Sequence, residues 1–311
     1  MGLVTAGNVL LAETFDEHRD HLLGVAYRLT GTLADAEDAV QDAWLRLSTV
    51  DDPATIRDLR GWLTTVVGRL CLDRLRSAAV RRERYVGPWL PEPVVAPLVG
   101  APGEDPADAA VRGDDVRMAA LVVLDRLTPE QRVALVLHDA FAVPYAQIAA
   151  TLGCTEPTAR QHASRARKAV AAADPPPRVA LAEQQEMLGR FLAALAEGDL
   201  AAVVALLHPD VVLTGDSDGK ARTARHHVAG TDKVSRFLLG LMRQYGVDKL
   251  GSMTPVLVNG DLGMLAPEVT GERTLNRRVT TFTIRDGRVV AIYDIVNPDK
   301  LTRVPFPDTA A

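Results

Sequence analysis

A proline-rich stretch in the first half of the chain constrains the fold more than any other feature. Six prolines lie between positions 87 and 106, and three more stand together at 175–177. Proline lacks a backbone N–H and clashes with the preceding helical turn, so neither stretch can form a helix or a central strand. We therefore expect the 311 residues to form three units, at 1–85, 114–173 and 181–311, with linkers at 86–113 and 174–180.

The second unit ends in two short helical patterns that meet at a tight turn. Gly153 supplies a left-handed residue to end the first helix, and Thr155 caps the second. Small residues then recur on one side of the second helix, at Ala159, Ala163 and Ala166. They allow two helices to cross closely, as in a DNA-binding helix-turn-helix. The alternative is an ordinary helical hairpin with a basic surface.

Two helical patterns of the first unit carry opposite charges. Between 31 and 52 six acidic residues accompany a single arginine, Arg46. Between 69 and 84 six arginines accompany only Asp73 and Glu83. The acidic pattern favours a protein partner, whereas the arginines favour contact with phosphates. The alternative for the acidic pattern is a solvated helix face.

Composition narrows the class of protein. Hydrophobic residues make up 47% of the chain and charged residues 24%, which is typical of a soluble globular protein. No apolar run reaches the roughly 18 residues of a membrane span, so we expect a cytoplasmic protein without membrane contact. The net charge of −5 argues against a protein that coats DNA alone. The two cysteines are not spaced with histidines as a metal site requires, and we expect neither metal nor cofactor.

The third unit reads as helices followed by β-branched, alternating runs, which predicts an α+β domain. Its candidate polar residues show no spacing that forces an acid–base pair, so we expect no catalysis. These candidates are His208, Asp210, Asp216, His226, His227, Tyr293 and Asp294. Two other classes stay open at this point: a cyclase- or isomerase-type enzyme, and a helix-turn-helix repressor that senses a small molecule.

Several segments, in this order, resemble one family. They are GVAYRLTGTLADAEDAVQDAWLRL at 24–47, DLRGWLTTVVGRLCLDRLRSA at 58–78, WLPEPV at 89–94 and LTPEQRVALVLHDAF at 127–141. Together with the helix-turn-helix they resemble an extracytoplasmic-function (group IV) sigma factor of bacterial RNA polymerase. GDSDGK at 215–220 and NPDKL at 297–301 resemble its subgroup with a fused SnoaL-like domain, the sigma-J type. The resemblance implies two all-α domains, sigma region 2 and the region 4 helix-turn-helix, followed by a cone-shaped α+β SnoaL-like (NTF2-like) domain.

The resemblance also implies partners, namely the RNA polymerase core and promoter DNA. The core-binding residues would be Asp35, Asp38, Gln41, Asp42 and Arg46. The −10 element would be contacted by Arg69, Asp73, Arg74, Arg76, Arg81 and Arg82. The −35 element would be contacted by Thr158, Arg160, Gln161, Ser164, Arg165, Arg167 and Lys168.

In this subgroup the third domain is expected to regulate the sigma factor in cis, in place of a separate anti-sigma protein. Large apolar residues such as Trp89 and Leu90 are unusual in a flexible spacer, so we expect the first linker to dock. The expected regulatory contacts are Trp89, Leu90, Pro91, Glu92, Pro93, Asp216, Asp218, Gly219, Lys220, Asn297, Pro298, Asp299 and Lys300. We also expect a free monomer and an unknown small ligand in the cone.

Overall fold

The computed structural model describes residues 2–82, 84–98, 116–246, 253–270 and 274–307. They form two compact units. The first holds the helices before residue 83 and those of Ala120–Pro175, and the second holds the described residues of Arg84–Pro102, Arg117–Ala119 and Pro176–Ala311. The two predicted helical domains thus share a unit, while the described part of the linker between them, residues 86–98, belongs to the unit of the third domain. No helix in the described ranges is long and apolar enough to cross a membrane.

Three helices begin the first unit: α1 (Gly2–Thr30), α2 (Leu33–Ser48) and α3 (Leu59–Arg82). Thr32 starts α2 by accepting a hydrogen bond from the backbone N–H of Asp35. The inward faces of the three helices bury leucine, valine and alanine side chains, including Leu22, Leu47 and Leu63 at 0% exposure. Burial of this apolar surface holds the helices together.

Four further helices follow: α4 (Met118–Leu124), α5 (Pro129–Leu135), α6 (Tyr145–Leu152) and α7 (Glu156–Ala173). A capping box starts α5, because Thr128 and Gln131 each bond the other's backbone N–H. After Leu135 the helix changes into a π-helical turn at Val136–Ala140.

The second unit contains α8 (Leu181–Glu197), α9 (Leu200–Leu206) and α10 (Thr231–Tyr245), packed on one sheet. Its strands are β1 (Val95–Pro97), β2 (Leu207–Asp216), β3 (Val228–Ala229), β4 (Thr254–Val258), β5 (Asp261–Ala266), β6 (Arg278–Arg285) and β7 (Arg288–Ile295). The sheet order is β1-β4-β5-β6-β7-β2-β3. Only the β2–β7 pair among these is parallel. This α+β unit, after the helical unit, confirms the predicted fold class.

The edge strand β1 comes from the first linker. Val95 pairs with Val258 and Pro97 with Val256 in an antiparallel register. Proline is tolerated in β1 because an edge strand needs hydrogen-bond donors on only one side. Residues 95–97 of the linker are therefore part of the sheet of the third domain.

Candidate nucleic-acid interface and linker clamp

The helix-turn-helix consists of α6, a three-residue turn and α7. Gly153 ends α6 with a φ of 67°, and the Thr155 side chain accepts from the backbone N–H of Thr158 to start α7. Ala159, Ala163 and Ala166 are fully buried. Small side chains at these positions let α7 cross close to its neighbours, as the sequence spacing predicts.

Most of the predicted −35 residues project from the opposite side of α7. Gln161, Ser164, Arg165 and Lys168 are exposed. Thr158 is half-buried, and its hydroxyl lies 2.9 Å from that of Thr155. The exposed group forms a polar face that can reach base edges and phosphates.

Two arginines of α7 are engaged within the first unit. Arg160 bonds Glu156 at 2.5 Å and lies 4.5 Å from the centre of the Tyr145 ring. Arg167 donates to both carboxylate oxygens of Asp139 and to the Tyr145 hydroxyl. These hydrogen bonds raise the pKa of Arg167, which therefore stays cationic.

The predicted −10 arginines of α3 contact the helix-turn-helix half of the same unit. Arg69 donates to the carbonyl of Ala150 at 2.9 Å, and Arg76 bonds Glu130 at 2.9 Å. Burial would raise the pKa of Glu130, but the hydrogen bond from Arg76, a backbone hydrogen bond and the nearby charges of Arg76 and His162 together outweigh it and lower that pKa. Asp73 is exposed, whereas the side chains of Arg81 and Arg82 lie outside the described residues.

Arg74 belongs to a different environment from the other α3 arginines. Its guanidinium lies 2.7 Å from Asp42, 3.7 Å from Asp38 and 4.0 Å from Asp35. All three carboxylates belong to the predicted polymerase-binding face of α2, where Gln41 and Arg46 are exposed. The structure thus places Arg74 with this acidic face.

Sequence reasoning missed one apolar residue on that face. Leu45, beside Arg46 on α2, is 53% exposed. It directly follows the half-buried Trp44, which lies next to the buried Ala43. An exposed leucine among charged groups suits a protein contact better than a phosphate contact.

Asp216, at the end of β2, is the centre of the predicted linker contacts. It is 0% exposed and accepts hydrogen bonds from the Tyr85 hydroxyl, from the backbone N–H of Leu90 at 2.7 Å and from Lys300 at 2.6 Å. Lys300 also donates to the Leu90 carbonyl and lies 4.1 Å from the centre of the Trp89 ring. We call Tyr85, Trp89, Leu90, Asp216 and Lys300 the linker clamp.

Neighbouring groups extend the clamp. Asn297 donates to the Tyr85 hydroxyl at 2.8 Å, and Pro298–Lys300 form a 3-10 turn that positions Lys300. Asp218 accepts from the backbone N–H of Val86 at 3.2 Å, and Gly219 packs beside Val86. Lys220 bridges Asp218 and Asp299 at 3.1 and 2.5 Å.

The proline-containing part of the linker is buried beyond the clamp. Leu90 is 1% exposed and Glu92 5%, and Pro91 and Pro93 are also buried. Trp89, the larger apolar residue, is only half-buried. Tyr85 was missed because it precedes the WLPEP motif and its partners lie more than 130 residues away.

The candidate polar residues of the third unit do not form one site. Asp216 is in the clamp, Asp294 lines a cavity, and Asp210, His226 and His227 are exposed. Within the described residues no group of three His, Cys, Asp or Glu side chains could hold a metal ion.

Three family models match successive parts of the chain. They are Sigma-70 region 2 at residues 14–81, Sigma-70 region 4 at residues 117–170 and the SnoaL-like domain at residues 188–292. The match to region 2 spans α2 and nearly all of α3, and the match to region 4 contains α6, the turn and all but the last three residues of α7.

Two relatives from Mycobacterium tuberculosis cover almost the whole chain. The ECF RNA polymerase sigma factor SigJ is 55% identical over 306 residues, which make up 96% of this chain and 95% of that protein. The probable ECF RNA polymerase sigma factor SigI is 38% identical over 289 residues, or 91% and 92% of the two chains. The crystal structure of SigJ aligns with a TM-score of 0.80 and 52% identity, covering 95% of this chain and 100% of that one.

Proposed function

Because the chain belongs to the extracytoplasmic-function sigma factors of RNA polymerase with a SnoaL-like domain, we propose how its surfaces divide the work of promoter selection. As a sigma factor it binds the polymerase core and promoter DNA. The polar face of α7 reads the −35 element, α3 contacts the −10 element, and α2 docks on the core. The third domain regulates these steps in cis through the linker. Its polar residues catalyse no reaction in this proposal.

The observation that carries this division is the exposed polar face of α7. Gln161, Ser164 and Arg165 project from a helix whose other side is held by buried alanines. Amide and guanidinium groups on such a helix pair with base edges in the major groove, and each good pair contributes about 1–3 kcal/mol of discrimination.

On α3, Arg69 and Arg76 must leave their partners before they can contact DNA. The Arg76–Glu130 pair is substantially exposed, with 50% and 29% side-chain exposure, so it contributes only about 0–1 kcal/mol. Breaking it therefore costs little. We infer that core binding separates α3 from the helix-turn-helix half and frees both arginines.

On α2 the core-binding surface combines carboxylates with Leu45. Arg74 offsets part of the repulsion among Asp35, Asp38 and Asp42 and holds them on one side of the helix. In this proposal Arg74 acts as a positioning residue for polymerase docking, and the remaining α3 arginines serve DNA.

The linker clamp gives the third domain its regulatory role. The linker strand β1 and the clamp fix residues 85–97 within the second unit. We infer that a small ligand in the third domain alters the binding of the linker to the clamp. Such a ligand shifts the linker between a bound and a released state only if it binds these two states of the protein unequally.

In vitro transcription with purified bacterial core polymerase tests the proposed division. The template is the region upstream of the protein's own gene, and the proteins are the full chain, Arg165→Ala and Arg190→Ala. Arg190 is an exposed arginine on α8 and serves as the matched control. We expect initiation by the full chain and R190A, and a loss of about 5- to 100-fold in R165A. Equal initiation by R165A and R190A would contradict the proposal that α7 reads the promoter.

A further inference from the structure

The third domain contains a cavity of about 270 Å³ between α8, α10 and the inner face of the sheet. This volume is near the lower end of the ~300–1,000 Å³ typical of small-molecule sites. The described lining is apolar except at one end, where Arg278, Thr280 and Asp294 lie together. The apolar part includes Phe191, Phe237, Leu241, Met242, Met264 and Phe282.

Arg278 is buried but has no short hydrogen bond among its described contacts. It is 5% exposed, and its guanidinium lies 3.4 Å from Asp294, 3.4 Å from the Arg222 carbonyl and 3.5 Å from the Asn276 carbonyl. Charge-assisted hydrogen bonds of this type are normally about 2.7–2.9 Å long. A buried guanidinium with such long contacts retains donor capacity for an acceptor in the cavity.

Asp294 differs from Arg278 because its carboxylate is well supplied with donors. Thr223 donates at 2.6 Å to one oxygen and Thr280 at 3.1 Å to the other. Its charge also balances that of Arg278. A second anion in the cavity would leave an uncompensated negative charge away from water, which costs several kcal/mol, whereas a neutral acceptor adds no charge.

We infer that the cavity binds a neutral, largely apolar molecule whose carbonyl oxygen accepts a hydrogen bond from Arg278. This inference rests on the proposed regulation by a small ligand and specifies its chemical class. The apolar wall supplies most of the binding energy, and Arg278 selects a ketone, quinone, ester or amide over a carboxylate.

The same end of the cavity connects to the linker clamp. Arg278 contacts the Arg222 carbonyl, and Asp294 holds the Thr223 hydroxyl. Only Ala221 separates residues 222 and 223 from the turn at 216–220, whose carboxylates bind the linker. A ligand that draws Arg278 away from these partners changes the position of the turn, and the hold on residues 85–94 changes with it.

Calorimetric titration of the full chain tests the site without polymerase or promoter. The probes are 2-acetylnaphthalene, a neutral ketone, and 2-naphthoate, its anionic counterpart of similar size. The variants are Arg278→Met, the double variant R278M/D294N, which avoids an unpaired buried Asp294, and Arg277→Met. Arg277 is exposed and does not line the cavity, so it is the matched control.

We expect the ketone to bind the unmodified chain and R277M equally, and the folded double variant at least tenfold more weakly. We expect 2-naphthoate to bind the unmodified chain at least tenfold more weakly than the ketone does. Failure of the ketone to bind, equal binding by the double variant, or tighter binding of 2-naphthoate would overturn the assignment. Hydrogen exchange at residues 85–94 is measured with and without bound ketone, and unchanged exchange would overturn the connection to the clamp.

Discussion

At the scale of single residues, Asp216 determines how the linker is held. Its carboxylate accepts from a hydroxyl, a backbone N–H and an ammonium group, which come from Tyr85, Leu90 and Lys300. Burial, followed by the negative charge of Asp216, raises the pKa of Tyr85, so its hydroxyl remains a donor. One buried carboxylate thus fixes two linker residues and the C-terminal turn together.

Asp216→Asn should destabilise the second unit strongly. The change leaves Lys300, only 7% exposed, without its buried counter-charge, and breaking one partner of such a pair costs about 3–5 kcal/mol. Asp218→Asn is the matched control because Asp218 is 24% exposed and lies in the same turn. Urea unfolding followed by circular dichroism measures both. Equal midpoints for the two variants would contradict the central role of Asp216.

His21 on α1 should make the first unit sensitive to mild acid. Its ring bonds Thr64 and Arg60, and it meets the Phe141 ring edge-on at 5.1 Å. Burial, then the nearby charges of Arg60, His18 and Arg28, lower its pKa from 6.5 to about 4. The folded state therefore favours neutral His21, and the resulting stability is present above pH 6.5 and is lost as the pH falls toward 4.

Thermal unfolding between pH 7.5 and 4.5 checks this behaviour. His21→Gln should flatten the loss of melting temperature over this range, because glutamine does not titrate. His226→Gln, at an exposed position of the second unit, should leave the profile unchanged. Identical profiles for H21Q and the original chain would exclude His21 as the source of acid sensitivity.

At the scale of elements, α3 is shared between two partners. One side carries Arg74 toward the carboxylates of α2, and another carries Arg69 and Arg76 toward the helix-turn-helix half. Gly68 allows the second contact, since a Cβ there would lie 3.1 Å from Leu137 and 3.4 Å from Thr151. A glycine inside a helix destabilises it by roughly 0.5–1 kcal/mol relative to alanine. The close packing of Leu137 and Thr151 against Gly68 offsets this loss.

Gly68→Leu should therefore separate α3 from the helix-turn-helix half. The added side chain has no space against Leu137 and Thr151, so the contacts of Arg69 and Arg76 weaken. In the absence of polymerase, we expect G68L to bind −10 promoter DNA several-fold more tightly than the original chain does in an anisotropy titration. Gly189→Leu is the control, because a side chain at that helical glycine meets open space. Unchanged DNA affinity in G68L would show that the α3 arginines are already accessible.

At the scale of the whole molecule, the described part of the linker, residues 86–98, belongs to the unit of the third domain. Ending the chain at Pro177 removes both β4 and the clamp residues Asp216 and Lys300. We expect amide hydrogens at 86–96 to be protected from exchange in the full chain and to exchange at least tenfold faster in the shortened one. Protection that survives the truncation would mean that the linker orders itself without the third domain.

The parts of the molecule that sequence predicts well are those decided by local chemistry. Gly153, Thr155 and the alanine side of α7 each depend on neighbours within a few residues. The resemblance adds the pairing of the WLPEP motif with two later motifs. Tyr85, the edge strand β1 and the carboxylate partners of Arg74 were not predicted, because each depends on contacts across at least 30 residues.

The clamp also has a consequence for how the protein is made. Leu90 and its partner Lys300 are 210 residues apart. At a synthesis rate of about 5–20 residues per second, the ribosome adds Lys300 roughly 10–40 s after Leu90. Both helical halves of the first unit are synthesised by Ala173, well before Asp216 and Lys300 exist. Every nascent chain therefore passes through an interval in which these helices are present but the linker cannot yet be held by the clamp. Slower translation prolongs that interval.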